Sequence, residues 1–161
     1  MAVSGMLRTY LQDHHAGATA GLELARRAAG ENDGSAYASE IAAIADEIEE
    51  DKRALDEIMK LLGVKPNPIK DAGGWTAEKL GRLKPNNRWF SYSPLSRVVE
   101  LEGLALGVTG KLAVWKALRL IADTDPALDA AELDRLVDSA EEQQRGLEEH
   151  RLEAARGALA A

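Results

Sequence analysis

The chain has no cysteine, so disulfides, thiolate metal sites and cysteine nucleophiles are excluded. Aromatic residues make up only 4% of the sequence, so few large rings are on hand to fill a core. No apolar run approaches the ~20 residues that a membrane span needs. The opening stretch, MAVSGMLRTY, lacks a basic segment followed by an apolar one. No signal peptide is therefore expected, and the predicted location is cytoplasmic. Positive charge is also short: the net charge is −7, which sets the chain against the phosphates of nucleic acid. Gly-rich phosphate loops and nucleophile elbows are missing as well.

What is present is helix-forming sequence. At 161 residues, with 45% hydrophobic and 29% charged, the chain has the make-up of one globular domain spanning 1–161. It is rich in Ala, Leu, Glu and Arg, which favour helices that build a core by packing on one another.

The spacing predicts helix 1 over about 6–29, with Leu7, Leu11, His14, Ala18, Leu22 and Ala25 on one line. Gly30 and the polar GENDGS segment end it. Helix 2 follows over about 36–62, on the line Tyr37, Ile41, Ile44, Ile48, Asp51, Leu55, Ile58 and Leu62. Gly63 stops it. Ser93 and Pro94 supply a good N-cap and first position for helix 3, which runs to about Ala122. That helix is apolar nearly all round. Its predicted inner line is Leu95, Val98, Glu102, Leu106, Thr109, Ala113, Ala117 and Leu120, with Glu100, Arg97 and Lys111 on the outer side. Asp129 and Glu132 open helix 4, on the line Leu133, Leu136, Ala140, Gln143, Leu147, His150, Ala154 and Ala158. The expected architecture is all-α: an antiparallel four-helix bundle made of two hairpins, 6–62 and 94–160.

The connector, 64–93, has a different composition. Proline and glycine punctuate it, and TAEKLGRL (76–83) reads as a short extra helix. Six cations there face two carboxylates, a net +4, so the rest of the chain carries −11. Trp75, Trp89, Phe90 and Tyr92 put four of the seven aromatics in it. Connectors of this length inside a compact domain are unusual and often functional.

Four polar residues interrupt the apolar lines at matching levels. His14 and Asp51 are equally far from the first turn, and Glu102 and His150 are equally far from Pro126 in the second. Each hairpin thus sets a histidine beside a carboxylate. If the helices run up-down-up-down, Asp51 and Glu102 differ in level by ~6 Å; if the connector crosses the length of the bundle, by ~12 Å. Imidazole and carboxylate together suit Zn, Mn or Fe. The candidate metal ligands are His14, Glu47, Asp51, Glu102 and His150, with two metal-free His–carboxylate pairs as the structural alternative.

At these residues the chain resembles the ferritin-like four-helix proteins, in a bacterial branch. That family carries a Glu on helices 1 and 3 and Glu-x-x-His on helices 2 and 4. Here helix 1 offers His14, helix 2 Glu47 and Asp51, helix 3 Glu102 and helix 4 His150, with Leu147 in place of the last Glu. The resemblance implies a metal-binding bundle.

The competing expectation is a non-enzymatic interaction module. Trp75, Arg82, Arg88, Trp89 and Phe90 would then dock an acidic partner, an anionic ligand or a second copy of the chain. A homodimer fits the opposite charges of connector and body; nucleic acid and membrane do not.

Overall fold

The computed structural model describes residues 3–68 and 93–160. Within these residues the chain is all-helical, with four helices and no strand. They are α1 (Gly5–Glu31), α2 (Ala38–Leu61), α3 (Pro94–Ala122) and α4 (Ala130–Leu159). Each lies within two or three residues of its predicted span. None is long and apolar enough to cross a membrane. The expected helix at 76–83, and with it Trp75, Arg82, Arg88, Trp89 and Phe90, falls outside the described residues.

Local chemistry sets the ends. The Ser4 hydroxyl accepts from the Leu7 N–H, and Ser93 and Ser96 form a reciprocal capping box with Pro94 in first position. Asp129 accepts from the N–H groups of Ala131 and Glu132, at 2.9 and 3.2 Å. Gly63 closes α2 at φ +65, a conformation that other residues adopt only at a cost.

Side-chain pairs give the course of each hairpin. His15 meets Asp56 and Arg26 meets Glu49. Glu102 meets Arg151, Thr109 meets Gln144, and Lys116 meets Glu141. Numbers rise on one helix as they fall on the other.

The two hairpins are joined end to end. Gln12, near the start of α1, donates to the carbonyl of Lys65 just beyond α2 (2.9 Å). At the opposite end, Arg97 in the first turn of α3 donates through Nε to Oδ1 of buried Asn32, at 2.7 Å. The same guanidinium lies 4.2 Å over the Tyr37 ring. Residue 64 and residue 93 are therefore at opposite ends of α1. The up-down-up-down course is replaced by one in which α2 and α3 run the same way.

The core divides along its length. One cluster joins Leu11, Leu55, Met59, Trp115, Leu118 and Leu133; the other joins Leu24, Ile44, Leu101, Leu104 and Leu147. Trp115 is the largest wholly buried side chain, and its Nε1 has no partner among the described residues.

The lines read for α2 and α4 face this core as expected. That of α3 does not. Val98, Leu101, Leu104, Val108, Leu112, Trp115 and Leu118 are buried, whereas Leu106 and Leu120 are 73% and 80% exposed. A helix apolar on nearly every side has no strong pattern to orient it. Packing of the bulky Trp115, and a charge partner for Lys111, turn it the other way.

Candidate functional site

The level between the two core clusters is polar. On α2 it falls at Asp51, between Ile44 and Leu55; on α3 at Lys111, between Val108 and Leu112; on α4 at Gln143, between Ala140 and Leu147. The Lys111 ammonium donates to Oδ2 of Asp51 and to Oε1 of Gln143. Gln143 closes the triangle by donating from Nε2 to the same Asp51 oxygen at 3.0 Å. The side chains of Lys111 and Asp51 are 13% and 9% exposed, so water screens little of this interaction.

Burial pushes the Lys111 ammonium below the ordinary lysine range, while Asp51 and Glu47 pull it back up. Glu47 stands at the outer edge of the group. Burial pushes its carboxyl up, with Asp51 adding to the rise and Lys111 opposing it. A cleft of about 280 Å³ opens beside these residues between α2 and α4, lined by Glu47, Glu50, Asp51, Glu132, Arg135 and Gln143 among others.

The five residues expected to share a site do not converge. Asp51 and Glu47 come together, but with a lysine and a glutamine. Glu102 is exposed and is held by Arg151 at 3.4 Å, which is also bound to Glu148 at 2.7 Å. His150 acts electrostatically on Glu40, near the start of α2, rather than pairing with Glu102. His14 is half-buried with its ring edge-on to Tyr10, centroids 4.5 Å apart. Burial pushes its imidazole below the usual range, and Asp13 partly offsets this.

Two causes combine: His15 on Asp56 and Arg26 on Glu49 set a register in the first hairpin that leaves His14 about six residues or more from the level of Asp51, and the end-to-end link carries Glu102 away. With α3 reversed, Lys111 stands at the level of Asp51, and Glu102, nine residues back, lies ~13 Å away along the helix. Among the described residues no three His, Asp or Glu side chains form a group able to hold a metal ion. The residues present do not fit the metal centre that the ferritin-like resemblance implies. The buried carboxylate receives its compensating cation from Lys111 instead.

Comparison with protein-family models, curated proteins and solved structures finds no match.

Two features escaped the sequence reading. His15, not His14, is the buried histidine (6% exposed), and its Nε2 lies 3.0 Å from Oδ1 of Asp56. Asp56 also pairs with Lys52 at 2.8 Å. With two histidines side by side, helical spacing alone does not say which one turns inward. For Lys111 a signal did exist. It lies midway along Leu104, Val108, Trp115 and Leu118, a line holding the only tryptophan of α3.

Proposed function

We propose that the chain is a non-enzymatic interaction module built on an antiparallel four-helix bundle, ferritin-like in the path of its chain. The observation that carries this reading is the outward face of α3. Leu106 and Leu120 stand on one line, 73% and 80% exposed, on a helix most of whose residues are apolar. Aligned exposed leucines of this kind mark contact surfaces more often than isolated ones do.

The link from one end to the other between the hairpins supports the ferritin-like path, because ferritin-like bundles carry one long crossover. The buried trio serves structure. A slide of one helical turn, ~5.4 Å, would take the Lys111 ammonium off Asp51 and oppose an apolar side chain to the carboxylate. The cluster thus fixes the register of α2, α3 and α4. By sequence alone, the basic aromatic stretch between the hairpins offers a second surface, opposite in charge to the acidic body.

Metal titration tests the structural role of the trio. Zn²⁺, Mn²⁺ and Fe²⁺ are each added to chelator-treated protein, and binding is followed by calorimetry and by Tm. No saturable binding and an unchanged Tm are expected. A stoichiometric metal that is lost in Asp51→Asn would refute the reading.

A further inference from the structure

The outward face of α3 is more ordered than scattered exposure requires. Val99, Leu106, Ala113 and Leu120 recur every seven residues, and Leu106, Ala113 and Leu120 are exposed. Beside them, also seven apart, run Glu102, Thr109 and Lys116. Together they make a two-column seam on the exposed face, one column apolar and the other polar. On its far side a Cβ added at Gly107 or Gly110 would meet no atom within 4 Å, so a neighbouring helix has room to approach.

The seam is also self-complementary. Glu102 and Lys116 carry opposite charges at equal distances on either side of Thr109. Both are half-exposed, and each is paired to α4, Glu102 with Arg151 and Lys116 with Glu141. We propose that α3 docks a second copy of this chain, antiparallel, about a two-fold axis passing at Thr109.

In that register Glu102 meets the partner's Lys116 at the same level. Leu106 comes within one residue, ~1.5 Å, of the level of the partner's Ala113, a large side chain near a small one, and Val99 within one residue of the level of the partner's Leu120. On the α4 edge, Arg151 and the partner's Glu141 come to one level, so each end of the seam carries a four-charge group of alternating sign. A parallel pairing would set Glu102 on Glu102 and Lys116 on Lys116. The antiparallel choice follows from that repulsion. The inference rests on the reading of the chain as an interaction module and names its partner and its surface.

The absence of native cysteine gives a clean test on the full chain. Sedimentation should find a dimer, and Leu106→Glu should weaken association roughly tenfold or more while leaving the helical circular dichroism intact. Under mild oxidation Thr109→Cys should yield a disulfide-linked dimer, since the two copies of this position meet at the axis. Leu120→Cys should not, because its two copies lie ~33 Å apart along the pair. A monomer at high concentration, a dimer indifferent to Leu106→Glu, or linking of Leu120→Cys as fast as Thr109→Cys would each overturn the proposal. Metal bound at Asp51 in a chain that still dimerises would refute the structural role of the trio and leave this interface standing. A metal-free monomer would do the reverse.

Discussion

Replacing Lys111 by methionine keeps the length of the side chain and removes its charge. Asp51 is then left buried, with Gln143 Nε2 as its remaining donor within the trio. Stripping one partner from a buried ion pair typically costs ~3–5 kcal/mol. For a chain of this size each kcal/mol moves Tm by ~2–4 °C, so the melting point should fall by ~6–20 °C. Asp51→Leu should cost less, because the flexible lysine can swing its ammonium outward toward Glu47. The double variant Asp51→Leu/Lys111→Met should recover most of the loss, since no buried charge remains and the volumes are kept. Urea denaturation at one fixed protein concentration gives the three free energies. The two single losses should exceed the double by about 2 kcal/mol or more. Additivity to within ~0.5 kcal/mol would mean that the two groups do not depend on each other, and the account of the polar layer would fail.

Two further outcomes follow from the same description. Asp129→Ala removes the acceptor of two N–H groups at the start of α4 and should cost ~1 kcal/mol in urea, with Asp129→Ser restoring most of it. Burial lowers the folded-state pKa of His14, so below the ordinary histidine range the unfolded chain binds the proton first. Stability from this group is therefore present above pH ~6.5 and declines as pH falls below it. His14→Gln should flatten that acid-side slope of Tm, whereas a slope unchanged by the substitution would count against burial of the neutral imidazole.

Much of the fold was legible because three helices carry one clear apolar line each. Ile41, Ile44, Leu55 and Ile58 on α2, and Leu133, Ala140, Leu147 and Ala154 on α4, point inward as their spacing requires. Asp51 and Gln143, the polar interruptions on those lines, do meet at one level. The third member of that layer was hidden by composition. On α3 apolar residues lie on both sides, so a lysine marks the outside only if nothing inside needs its charge, and Asp51 does. The level read for the second hairpin fits the register there, where Glu102 meets Arg151, next to His150. That of the first does not, because His15 on Asp56 and Arg26 on Glu49 set Asp51 about six residues or more from the level of His14. What no local pattern encodes is the end at which α3 begins. That is settled by long-range contacts such as Arg97 on Asn32, and it decides which residues share a level.

The placement of Lys65 and Ser93 at opposite ends carries a consequence for chain economy. A helix the length of α3 is ~43 Å long. A fully extended strand of protein climbs that height in about 12–13 residues. Between Val64 and Ser93 the chain provides 28, more than twice the minimum. Deleting ten of them would still leave enough to span. Reach alone therefore asks for neither the tryptophans nor the cluster of lysine and arginine in that stretch. Its composition answers to a demand other than distance.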